Sequence, residues 1–258
     1  MADTIAVLSQ KGGTGKTTTV RTLADVLRRI GVQTLVVDLD PQGNLSDYLD
    51  VPPEREPTIA DVLCGRAKTK AAIHDDLIAA NLNLAEAELT LAGKIGRELT
   101  LRRALAKAPE HYQIILVDCP PSLGLLTVNA LVAADHALVT AEAQYFALQG
   151  VEQALEVIEL ARETLNGELN LIGILLGLAD MRTVHSREAL VALRESFPDK
   201  VFDTVIRSSI AYAESAERAV SILDHRPDLG ADYLALTGEV LGRLDGYDRA
   251  LRALQELG

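Results

Sequence analysis

Apolar residues follow two different spacings along this chain. Short, nearly continuous runs rich in β-branched residues occur at Thr4–Ser9, Thr34–Asp38, Ile114–Asp118, Ala137–Thr140, Leu171–Leu176 and Val201–Ile206. Such runs predict strands covered on both faces. Between most of them, apolar positions recur at helical spacing, over Thr18–Ile30, Leu125–Ala133, Gln149–Leu165 and Arg187–Ser196. Strand and helix in alternation predict βαβ units: an α/β, doubly wound, mostly parallel sheet flanked by helices on both faces. Val51–Pro57, with Pro52, Pro53 and Pro57 among three charged residues, reads as a surface loop. No long linker, repeat or low-complexity tract interrupts the pattern, so residues 1–258 are expected to form a single domain.

The first predicted strand runs directly into Lys11-Gly12-Gly13-Thr14-Gly15-Lys16-Thr17-Thr18, and a helical pattern follows. The strict phosphate-loop expression would place glycine at position 10, where this chain has Gln10. The chemistry survives that departure. Gly12, Gly13 and Gly15 let backbone N–H groups converge on a polyanion, Lys16 adds a point charge, and the helix adds its amino-terminal dipole. Thr17 offers a hydroxyl to Mg²⁺. A glycine-rich turn with an exposed lysine would explain the glycines alone, but strand, loop, Lys-Thr and helix agree on a P-loop NTPase. Lys11 is left over, because a second lysine converging on an empty phosphate site would be repelled by Lys16.

The second predicted strand ends in Asp38-Leu39-Asp40, and the third ends in Asp118. Ligand crevices of doubly wound sheets lie at the carboxyl ends of the strands. Asp38 and Asp40 fall on one side of an extended chain, so both could serve one metal-and-water cluster. An apolar strand ending in Asp118 is the arrangement that holds Mg²⁺ in P-loop enzymes. A lone strand-end aspartate is often only a turn or cap. Two of them beside a phosphate loop point to metal.

Composition bounds the rest. Of 258 residues, 48% are hydrophobic and 24% charged, as in ordinary globular proteins. No apolar run reaches membrane-spanning length and no secretory pattern opens the chain, so a cytoplasmic protein is expected. Cys64 and Cys119 are too few for a disulfide framework or a four-thiolate metal site, and a buried, inert thiol is the better reading of Cys119. His74, His111, His136, His185 and His225 show no metal-ligand spacing. The net charge of −12 argues at face value against a nucleic-acid partner. That charge is unevenly spread: residues 131–180 carry eight acids against one base, whereas residues 181–226 carry seven of each.

The string from Lys11 to Thr17 resembles the deviant Walker A box of the ParA/MinD family of ATPases. Asp38-Leu-Asp40-Pro-Gln-Gly-Asn44 resembles its first switch, and Asp118-Cys-Pro-Pro-Ser-Leu-Gly-Leu-Leu-Thr-Val-Asn129 its second. The likeness continues through Ala143-x-Tyr145-Phe146-Ala147-Leu148-x-Gly150 to Gly230-Ala231-x-Tyr233-Leu234-x-Leu236. It is closest to short, Soj-type ParA proteins. The first strand starts at Thr4, so the operator-binding domain that longer members carry is expected to be absent. The resemblance implies that ATP and Mg²⁺ glue a homodimer, with Lys11 reaching the partner's nucleotide. It further implies that Asp40 orients the attacking water, Asp38 supports the Mg²⁺ cluster, and Asp118 holds Mg²⁺ through water. A ParB-like activator and non-specific, nucleoid-associated DNA binding are implied as well.

Asp180-Met181-Arg182-Thr183 matches the family's Asp-x-Arg-Thr segment and makes Arg182 a DNA candidate. The following segment departs: Ser208 and Ala211 stand where the family carries arginine, leaving Arg207, Arg218 and Arg226 as substitutes. Two other readings stay open. A membrane-cycling regulator of the MinD kind needs a basic amphipathic tail with bulky anchors, and residues 246–258 hold one aromatic and mixed charge. An orphan scaffold that has given up DNA would suit the acidic segment and the missing arginines.

Overall fold

A computed structural model describes residues 2–144 and 147–257; Tyr145 and Phe146, part of the family resemblance, lie outside them. Seven strands form one sheet: β1 (Asp3–Leu8), β2 (Thr34–Asp38), β3 (Ile73–His74), β4 (Leu77–Ile78), β5 (Ile114–Asp118), β6 (His136–Glu142) and β7 (Asn170–Gly177). Their order is β3-β4-β2-β5-β1-β6-β7, and only the β3–β4 edge pair is antiparallel.

Helices cover both faces. On one side, Ile5, Val7, Val36, Leu116 and Leu138 meet α1 (Lys16–Arg29), α2 (Asn44–Tyr48) and the carboxyl-terminal helices. On the other, Ala6, Leu8, Val37, Ile115, Val117 and Val139 meet α3 (Ile59–Cys64), α4 (Asn83–Ala92), α5 (Thr100–Leu105), α6 (Leu125–Ala133) and α7 (Ala147–Thr164). Successive strand residues point to opposite faces, which is why a sheet buried twice needs unbroken apolar runs. The chain then continues through α8 (Val184–Ser196), α9 (Ala211–Glu217), α10 (Ile222–His225), α11 (Pro227–Gly242) and α12 (Asp248–Leu257).

One predicted strand fails. Residues 201–206 run beside β7 but form a single bridge with it, Ile174 to Val201, and a second isolated bridge, Ala179 to Arg207, follows just past both segments. The reason lies in Glu239 on α11, whose carboxylate accepts the Asp203 and Thr204 N–H groups at 2.7 Å each. Those amides are drawn away from a ladder. Along the same edge, Gly173 lets the Phe202 ring and the Arg243 guanidinium lie against the β7 backbone: a Cβ there would sit 2.5 Å from the ring and 2.6 Å from Arg243 Nη1.

Candidate phosphate and metal site

The sheet register gathers the predicted site. Asp38 is opposite Asp118 across the β2–β5 pair, and Val7 at the end of β1 is opposite Asp118 on its other side. The loop from Ser9 to Gly15 therefore opens directly beside both carboxylates. Gly13 and Gly15 take left-handed conformations, φ 78° and 83°, with open space around each. Backbone conformation, rather than crowding, demands glycine there.

Ser9 is the hub of this loop. Its hydroxyl donates to Lys11 O at 2.7 Å and accepts from Thr14 Oγ1 at 2.9 Å and Lys16 Nζ at 2.9 Å. Thr14 also meets Thr140 on β6 at 2.9 Å. Lys16 is only 6% exposed, and its Nζ donates again to Lys11 O at 3.2 Å, so the ammonium lies inside the loop. Burial pulls its pKa down, against the opposing pull of Asp118. A serine at a strand end carries no motif, so the sequence alone does not mark Ser9.

Thr17 Oγ1 donates to Asp118 Oδ2 at 2.7 Å, whereas Asp118 Oδ1 is buried with no partner among the described residues. Burial, reinforced by Asp38, lifts the Asp118 carboxyl well above the usual carboxylate range. Asp38 accepts from Asp40 N at 3.1 Å, Ser46 N at 2.9 Å and Ser46 Oγ at 2.7 Å. Burial still outweighs these donors and pushes its pKa up to about 6. Asp40 is nearly buried, and its Oδ1 accepts from Gln42 N at 3.0 Å. A cation supplies what two buried carboxylates and an orphaned oxygen lack. Among the described residues no group of three or more His, Cys, Asp or Glu forms a protein-only metal cage. A hydroxyl, a carboxylate and phosphate oxygens suit Mg²⁺, which keeps water and is shared with substrate phosphates.

Lys11 does not join Lys16. Its side chain is 63% exposed, and Nζ contacts Glu142 Oε2 at 3.3 Å and Gln144 Oε1 at 3.0 Å beyond the end of β6. The two lysines point to different places, which removes the repulsion that their spacing suggests. Cys119, packed under the site, is 1% exposed, and burial pushes its thiol far up.

Most of the DNA candidates are engaged by carboxylates. Arg182 is paired with Asp180 through two bonds of 2.8 Å and holds that carboxyl down at about 2. Arg207 Nε bonds Asp232 Oδ2 at 2.9 Å, and its Nη2 bonds Asp228 O. Arg226 bonds Asp228 at 2.8 and 2.9 Å. Arg218, at the end of α9, is exposed. The bridge from Ala179 to Arg207 brings the Arg182 and Arg207 segments side by side. Ala211, where the family pattern has arginine, is 2% exposed and packs into the core.

A family model described as an AAA domain matches residues 2–171. The chain is 38% identical over 249 residues to the sporulation initiation inhibitor protein Soj of Bacillus subtilis, covering 93% of this chain and 98% of that one. It is 37% identical over 250 residues to the chromosome partitioning protein ParA of Caulobacter vibrioides, covering 93% and 94%. Among solved structures, cobyrinic acid a,c-diamide synthase from Mycobacterium smegmatis, with bound ADP and magnesium, superposes with a TM-score of 0.77 at 38% identity, covering 87% of this chain and 95% of that one.

Proposed function

The chain belongs to the ParA/MinD family of P-loop ATPases, and from that premise we propose that it is a partition or positioning ATPase that pairs with a second copy of itself on ATP. Residues 1–258 work as one unit in this reading. The observation that carries it is the division of labour between two lysines: Lys16 sits inside the phosphate loop, while Lys11 stands exposed at its rim. A charge held on the rim is placed to serve a nucleotide across an interface.

ATP and Mg²⁺ are the ligands, a reading supported by the ADP and magnesium in the Mycobacterium smegmatis neighbour. Backbone N–H groups of Gly12, Gly13, Thr14, Gly15, Lys16, Thr17 and Thr18 cradle the phosphates, and the Lys16 ammonium offsets their charge. Thr17 and Asp118 would hold Mg²⁺, with Asp38 supporting the cluster, and the ion would offset the negative charge of the phosphates. The Asp40 carboxylate orients a water for in-line attack on the γ-phosphorus. A P–O bond to that water forms as the bond to ADP breaks, giving ADP and phosphate. Lys11 of the opposite copy stabilises the charge that develops. A ParB-like partner accelerates this step, and the ATP-bound dimer holds DNA non-specifically, on a nucleoid in a cytoplasmic setting.

Membrane cycling fits less well, because α12 buries Ala250 and Leu254 against the body of the protein. A scaffold with reduced DNA binding draws support from the carboxylates on Arg182, Arg207 and Arg226. Light scattering tests the leading reading: the wild type should double its mass with ATP and Mg²⁺, and Lys11→Ala should not. A Lys11→Ala protein that still dimerises on ATP would overturn it.

A further inference from the structure

Basic side chains that remain free are concentrated on another flank of the molecule. Residues 66–70 and 94–107 hold eight of the chain's 25 Lys and Arg and a single acid, Glu98. The fold joins these two segments. Thr69 is buried and donates its hydroxyl to Ala104 O on α5 at 2.8 Å, so Lys68 and Lys70 flank that helix. Arg103 Nη2 lies 3.6 Å from the Cβ position of Gly96, which ties the Lys94 turn to the start of α5. Lys107 follows Arg103 in the turn after α5, its N–H bonded to Ala104 O at 3.0 Å. Lys68, Lys70, Lys94, Arg102, Arg103 and Lys107 are all exposed, and none enters an ion pair among the described residues. Three nearby acids are already occupied: Asp61 holds Arg66 at 2.8 Å, Glu98 holds Arg97 at 2.9 Å, and Asp76 accepts the Tyr112 hydroxyl at 2.7 Å.

We propose that this α3–α5 flank is a docking surface for the phosphate backbone of double-stranded DNA. It rests on the reading that the ATP-bound protein holds DNA, and it moves the main contact away from Arg182 and Arg207. The argument is charge complementarity inside a chain of net charge −12: phosphate binding depends on unpaired cations, and on the other face Arg182, Arg207 and Arg226 are already paired with carboxylates, which leaves Arg218. The flank is also wired to the nucleotide site. Asn129 on α6 accepts from Leu101 N of α5 at 3.1 Å and donates to Leu125 O at 3.0 Å, and α6 starts a short loop after Asp118.

The test measures retention of random-sequence duplex DNA by the full chain with ATP and Mg²⁺ across a salt series. Lys70→Ala/Arg102→Ala/Arg103→Ala/Lys107→Ala should bind about tenfold or more weakly near 0.1 M salt, with the log–log salt slope reduced by about 0.9 for each phosphate no longer neutralised. Arg102→Lys/Arg103→Lys keeps the charge and should bind like the parent, which separates missing charge from a folding defect. Arg182→Ala/Arg207→Ala should be impaired less than the fourfold variant. An unchanged slope in the fourfold variant overturns the proposal, as does a defect confined to Arg182→Ala/Arg207→Ala, while DNA binding itself stands. No DNA retention by the parent at low salt overturns both readings. So does nucleotide-gated retention on phosphatidylserine vesicles in place of DNA.

Discussion

Thr17 and Asp118 are joined by a 2.7 Å hydrogen bond across the mouth of the sheet, and the second oxygen of Asp118 has no partner among the described residues. A buried carboxylate half satisfied in this way is completed by a cation. Asp118→Asn keeps the shape and removes the charge, so the Mg²⁺ concentration for half-maximal ATP hydrolysis should rise by about 10- to 100-fold. Thr17→Ser should stay near wild type and Thr17→Ala should follow Asp118→Asn. Titration of hydrolysis with Mg²⁺ checks all three, and identical midpoints would remove Thr17 and Asp118 from the metal site.

Asp40 is separable from binding. Its carboxylate is tied to the backbone N–H of Gln42 and does not contact Lys16. Asp40→Ala should therefore bind ATP and dimerise, while phosphate release falls by about 10²-fold or more. Wild-type turnover in a phosphate-release assay would show that another group orients the water.

These two aspartates show how much of the site the sequence carries. A phosphate loop and two apolar strands ending in aspartate are enough to place Lys16, Thr17, Asp38 and Asp118 together, because strand-end position in a parallel sheet fixes depth. Partners set by tertiary packing are not legible. Ser9 and Ser46 belong to no motif, yet they hold Lys16 and Asp38. The pairing of Arg207 with Asp232 needs α11 folded back against the 207 segment. β3 and β4 span two residues each, too short for any periodicity to register. The segment at residues 201–206 has strand composition, and only the distant Glu239 diverts its amides. The basic flank joins two stretches of sequence through one threonine.

Gly173 is a packing position rather than a turn. Gly173→Ala puts a methyl group into the Phe202 ring and the Arg243 guanidinium, which lie 4.2 Å apart as a cation–π pair. Overpacking of this kind should destabilise the protein by about 1–3 kcal/mol. Urea unfolding would reveal it as a lower midpoint with unchanged slope. An unchanged midpoint would mean that the β7 edge yields easily.

Cys119 should be chemically silent. Its thiol is buried and its pKa is pushed far up, so the thiolate needed for alkylation is scarce at pH 8. Cys64 is only partly buried. A thiol-reactive chromophore should count one group in the native protein and two in denaturant. Rapid native labelling of both would show that the layer beneath the phosphate loop opens readily.

The strand that carries the phosphate loop precedes both of its sheet partners along the chain, and it lies inside the sheet rather than at an edge. Its neighbours, β5 and β6, begin only at Ile114 and His136. Ile5 to Leu8 therefore remain an unpaired apolar segment until strands more than about a hundred residues further along the chain fold against them. Long-range parallel pairing of this kind forms slowly and leaves its edges exposed in the meantime. The nucleotide pocket therefore closes only when these long-range strand pairs have formed.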